Sequence, residues 1–104
     1  MFNSRELENI TNEFVFYASQ LIKNNLLEQL LLRGYSSDFS IEDDVPYNTP
    51  LMISALNNNI EAVKLLISFG ANINYVNSLG YSLKRIIDEK NIQELYYLFP
   101  DLNS

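Results

Sequence analysis

A shift of 33 places carries Thr49 onto Ser82, Ile53 onto Ile86, Asn58 onto Asn91, Glu61 onto Glu94 and Leu65 onto Leu98. Few features constrain a chain more. A unit that recurs at a period of this length is one supersecondary element that cannot bury its apolar face alone, so copies must stack. One unit starts at Thr49, and a second runs from about Gly80 to Phe99. Upstream, Leu26-Leu27-Glu28-Gln29-Leu30-Leu31-Leu32-Arg33-Gly34 reads as the second helix of an earlier unit. Gly34 lies 36 residues before Gly70, so that connection is longer by about three residues than the period requires.

Local chemistry places the elements. Leu7, Ile10, Phe14, Tyr17, Ala18 and Leu21 recur at three and four, one stripe of an amphipathic helix. Thr49 can N-cap a helix through its hydroxyl, and Pro50 then fits the first helical position. Gly34 and Gly70 suit the residue that closes a helix, and Pro100 cannot continue the last one. These signals predict helices near 4–23, 25–33, 50–57, 60–68, 82–89 and 91–99. The segments 35–48 and 71–81 are left as connections. If helix pairs stack, Leu27, Leu30 and Leu31 meet Val63, Leu66 and Ile67, and these meet Leu95, Leu98 and Phe99.

The central unit resembles the ankyrin repeat. The residues are the opening Thr49-Pro50-Leu51, Ala55, the run Val63, Leu65, Leu66 and Ile67, and the closing Gly70-Ala71-Asn72-Ile73-Asn74. The resemblance implies an all-α, ankyrin-like solenoid of stacked helix pairs with finger loops. It implies one domain over 1–104, with repeats roughly at 13–47, 48–79 and 80–100 and an N-terminal cap helix near 4–12. The last unit departs from the pattern. Leu83 and Lys84 replace the Pro-Leu pair, and Asp88 stands where Ala55 stood. Lys84 at a usually buried leucine position fits a terminal repeat whose outer face meets water.

Composition narrows the chemistry. The chain has 104 residues, 47% hydrophobic, too many for disorder and enough for one folded domain. It contains no cysteine and no histidine. Thiol catalysis, histidine relays and most zinc sites fall away together. The net charge of -6 opposes binding to nucleic acid or to an anionic membrane surface. It suits a basic protein partner, although an acidic surface also serves solubility alone. No apolar run approaches a membrane span, and Met1–Glu6 lacks the basic start and apolar core of a signal peptide. A cytoplasmic protein is the expectation, and the Asn9-Ile10-Thr11 sequon is read as accidental.

Candidate site residues follow from the fingers. Ser36 to Tyr47 carries four acids and no base, with Phe39, Ile41 and Tyr47 interleaved. Ankyrin fingers face ligands, so the resemblance makes Phe39, Glu42, Asp43, Asp44 and Tyr47 candidate partner contacts. A solvated loop is the alternative. Tyr75, Asn77 and Tyr81 fall on the second finger, and Met52 and Arg85 on or near the inner helices of the concave face. Tyrosine supplies contact area at low entropic cost. Asn57-Asn58-Asn59 reads as turn chemistry. Asp38-x-Ser40-x-Glu42 lacks the glycine and distal glutamate of a calcium loop, and nothing completes a site around Asp43 and Asp44. No cofactor or metal is expected. Tyr96, Tyr97 and Phe99 cluster on the last helix, as core, dimer contact or partner site.

These readings converge on a non-catalytic protein-binding module, monomeric or weakly dimeric. Its sharper form is an immunity-type inhibitor of a basic bacterial toxin. The rival is a secreted effector or viral protein that binds host proteins, and an enzyme is the remotest reading.

Overall fold

The computed structural model describes residues 13–38 and 48–99. Residues 13–20 are helical and form α1. There follow α2 (Asn24–Leu32), α3 (Pro50–Leu56), α4 (Ile60–Ser68), α5 (Leu83–Lys90) and a closing 3₁₀ helix (Gln93–Leu98). The expected cap helix near 4–12 lies outside the described residues.

Helix starts carry their own signals. The Thr49 hydroxyl accepts from the Met52 N–H at 3.3 Å, and the Ser82 hydroxyl accepts from the Arg85 N–H at 3.1 Å. Asn59 Oδ1 accepts from the Ala62 N–H at 3.3 Å. Each satisfies an N–H that has no partner within its helix.

The five α-helices among the described residues end the same way. A bond spanning six residues and one spanning four close each terminus, as in Ala71 N–H to Leu66 O (3.1 Å) and Gly70 N–H to Ile67 O (2.9 Å). The residue between adopts positive φ: Ile22, Gly34, Asn58, Gly70 and Asn91 in turn. This is the Schellman termination. It ends α1 at Ile22 (φ +58°), so that helix stops short of the expected boundary at 23. The last helix also differs from expectation. Its bonds close three residues back, Leu95 N–H to Ile92 O and Phe99 N–H to Tyr96 O, both 3.0 Å. Pro100 brings no N–H to extend it as an α-helix.

The helices pair and stack. α3 packs on α4, α2 on α4, α3 on α5, and α5 on the 3₁₀ helix. One continuous core runs through all of them. It takes Leu27, Leu30 and Leu31 from α2, Val63 and Leu66 from α4, and Ile86, Ile87 and Leu95 from the end of the chain. Ile67, Leu98 and Phe99 are partly buried against it. The third helix pair joins the second chiefly through α3 and α5.

The turns between paired helices are cross-linked. Asn24 and Asn59 exchange amide hydrogen bonds, Asn24 Nδ2 to Asn59 Oδ1 at 3.1 Å and Asn59 Nδ2 to Asn24 Oδ1 at 2.8 Å. Asn57 Nδ2 donates to the Gln20 carbonyl at 3.2 Å. So Asn57 bridges, Asn58 takes the left-handed position and Asn59 caps. The run of three asparagines is turn chemistry throughout.

Candidate protein-binding surface

The first finger joins α2 to α3 and the second joins α4 to α5. Phe39, Glu42, Asp43, Asp44 and Tyr47 lie outside the described residues. Their finger is described at its two ends, and both ends are bonded to the second finger. Asp38 Oδ1 accepts from the Asn72 N–H at 2.8 Å, and Asn77 Nδ2 donates to Asn48 Oδ1 at 2.9 Å. The described ends of the first finger, Asp38 and Asn48, therefore both lie beside the second finger.

The second finger is a tight hairpin. Val76 and Ser82 form an antiparallel bridge, and the Asn77 N–H donates to the Tyr81 carbonyl at 2.9 Å. Gly80 sits at φ +82°, which a side chain would strain, and its N–H closes the turn onto Asn77 O at 3.0 Å. Asn77 Oδ1 accepts from the Leu79 and Tyr81 N–H groups at 3.0 and 2.9 Å.

Two candidate residues are thereby corrected. Asn77 is only 6% exposed, and its amide is consumed in building the hairpin and holding the neighbouring finger. It organises the surface and offers none. Met52 is 1% exposed. It lies in the core on α3, the helix that α5 covers, so it cannot line an open concave face.

The remaining described candidates, Tyr75, Tyr81 and Arg85, lie on the second finger and the start of α5, and Tyr81 and Arg85 are in contact. Tyr75 and Tyr81 are half-buried. Arg85, on the first turn of α5, places its guanidinium carbon 4.0 Å from the centroid of the Tyr81 ring, a cation–π stack. Its Nε donates to Glu89 Oε1 at 3.0 Å. Two residues that sequence reasoning missed complete the surface. Val76 is 52% and Leu79 is 63% exposed. An aliphatic residue inside the polar turn Asn77-Ser78-Leu79-Gly80 was the available signal.

The end of the stack at α1 is different in kind. Phe14, Tyr17, Ala18, Leu21, Lys23 and Leu26 line an open groove of about 240 Å³. At the other end Tyr97 is exposed, whereas Tyr96 and Phe99 pack against the core, and the Tyr96 hydroxyl donates to Asn91 Oδ1 at 2.7 Å.

Among the described residues, no three Asp or Glu side chains gather closely enough to hold a metal ion. None of the described helices is long and apolar enough to cross a membrane. What the surface offers is a rim of aromatic, aliphatic and charged groups on a hydrogen-bonded hairpin, which suits recognition of another macromolecule.

Paired helices stacked in one layer, with a hairpin finger between the second and third pairs, define a repeat solenoid of the protein-binding kind. A family model described as ankyrin repeats, in three copies, matches residues 15–99. The chain belongs to the ankyrin-repeat family, whose repeats generally mediate binding between proteins. A search of curated proteins returns no match.

Proposed function

We propose that this protein is a non-catalytic module that binds a basic protein in the cytoplasm through its two fingers. The observation that carries this reading is the pinning of the acidic first finger to the second, by Asp38 to Asn72 and Asn48 to Asn77. These bonds hold the described ends of the acidic finger beside the second finger, so that one partner surface can meet both. The exposed Val76 and Leu79, beside half-buried Tyr75 and Tyr81, supply the apolar part of the same contact. A net charge of -6 steers a cationic partner toward it. In its narrower form the module is an immunity-type inhibitor that covers the basic working surface of a toxin.

The test is capture of partners from native cells with the tagged protein, at low and high salt. A single roughly stoichiometric basic protein is expected. Asp43→Asn with Asp44→Asn should weaken its capture by about tenfold or more and flatten the salt dependence, as loss of complementary charge does. Capture that is indifferent to both salt and the double change would refute a charge-led contact.

A further inference from the structure

The end face of α5 differs from its counterpart one repeat earlier. The 33-place shift sets Lys84 on Leu51, Arg85 on Met52 and Asp88 on Ala55. Leu51, Met52 and Ala55 are buried where α5 covers α3. Lys84, Arg85 and Asp88 are exposed. An apolar face at this place would collect a neighbour unselectively. A face of fixed charges selects one.

Arg85 is the ordered member of that face. Tyr81 supports one side of the guanidinium at 4.0 Å. Glu89 occupies its Nε edge at 3.0 Å, and the Arg85 side chain stays 50% exposed. A guanidinium carries five N–H donors, of which four are on its two terminal nitrogens. Among the described residues no acceptor is bonded to those four. Stack and ion pair restrict the rotamers of a long side chain before any ligand arrives. The entropic cost of using its outer edge falls accordingly. Two parallel donors at fixed spacing match the two oxygens of a carboxylate.

We propose that the outer edge of Arg85, stacked on Tyr81, is a docking point for a carboxylate side chain of the bound protein. This deepens the protein-binding reading and rests on it. It also gives the contact polarity. The acidic first finger takes basic groups of the partner, while the start of α5 takes an acidic one. A partner with one acid placed beside its basic surface then binds in one register only.

The test follows the Arg85 Nε–H and terminal N–H signals of the isotope-labelled full chain by NMR. The probe is acetylated hexaglutamate amide, with hexaglutamine amide and inorganic phosphate as controls. Hexaglutamate should give a saturable shift at Arg85 with a Kd on the order of millimolar, tighter than one exposed charge pair gives, because the fork is preorganised and bidentate. Hexaglutamine should give none. Arg85→Lys keeps the charge but loses the planar fork, and should weaken the peptide by about fivefold or more. Tyr81→Ala should weaken it with the charge untouched. Unmoved Arg85 signals at about 10 mM peptide, where a millimolar site would be mostly filled, overturn the proposal. So does equal affinity in Arg85→Lys, which marks unspecific attraction to an end face that is charged only to keep it solvated. Phosphate binding tighter than hexaglutamate overturns the carboxylate assignment. A protein that still captures its partner while failing here loses only this site. Failure of capture, with the Arg85 shift present, loses the partner reading and not the carboxylate site.

Discussion

Ile22 closes α1 at φ +58°, where the matching residues of the later turns are Asn58 at +56° and Asn91 at +54°. Asparagine tolerates this left-handed position because its short polar side chain can bond locally, whereas a β-branched side chain crowds the backbone there. The strain is of order 1–3 kcal/mol. The Ile22 side chain is exposed, so removing it gives up little burial. Ile22→Gly or Ile22→Asn should therefore raise stability by about 1 kcal/mol, read as a higher urea midpoint at constant slope. An unchanged or lower midpoint would show that the position is not strained. Ser54 is a second local conflict. It is fully buried on α3, and among the described residues its hydroxyl has no hydrogen-bond partner. Leaving a buried hydroxyl unpaired costs about 1–3 kcal/mol. Counting back 36 places from Ser54, as from Gly70 to Gly34, reaches Ala18, which is also buried. Ser54→Ala should thus stabilise by roughly 1 kcal/mol in thermal melts, with no cavity to offset the gain. Neither conflict is legible in the sequence. Nothing in Ile22 announces a helix end, and Ser54 becomes a misfit only once its neighbours are packed around it.

Element positions were far easier to read. Thr49-Pro50, Ser82, Asn59, Gly34 and Gly70 are local signals, and they fix the ends of α2 to α5 within a residue or two of expectation. The last helix differs in kind from the sequence expectation, because its apolar spacing does not separate an α-helix from a 3₁₀ helix. The candidate site was less legible still. Whether Met52 faces solvent depends on α5 lying over it. Whether Asn77 is free depends on three partners: the Leu79 and Tyr81 amides and Asn48. Such facts belong to packing, not to pattern. The Asn24–Asn59 exchange is of the same sort, a pair 35 residues apart that links the first inter-helix turn to the second. Asn59 also caps α4 through Ala62. Asn59→Ala should therefore cost about 1–2 kcal/mol, more than a cap alone. Combined with Asn24→Ala in a double-mutant cycle, denaturant unfolding should give a coupling near 1 kcal/mol. Strict additivity would mean that the two amides contribute independently and do not lock the turns.

The molecule as a whole is a stack whose units share one core, and its binding edge exists only while they stay in register. The fingers illustrate this. Asp38 reaches Asn72 and Asn77 reaches Asn48 across a helix-pair boundary, so slippage between pairs would part the fingers. Leu66 sits where that register is held. It is fully buried on α4, which packs against both α2 and α3. Leu66→Ala removes buried apolar volume from the middle of the stack, at a cost of about 2–5 kcal/mol. A small domain has only about 5–15 kcal/mol in total, so the loss consumes much of it. In a stack with strong nearest-neighbour coupling, a defect in the middle pair weakens both flanking pairs. Hydrogen exchange in Leu66→Ala should then show protection falling together in α2, α4 and α5. Partner capture should fall with the folded fraction while keeping its salt dependence, because the charges on the surface are untouched. Protection lost in α4 alone, with α2 and α5 unchanged, would mean that the units fold independently. The fingers would then have to be held in place by their own bonds, and the Asn48–Asn77 contact, rather than the core, would become the element on which binding depends.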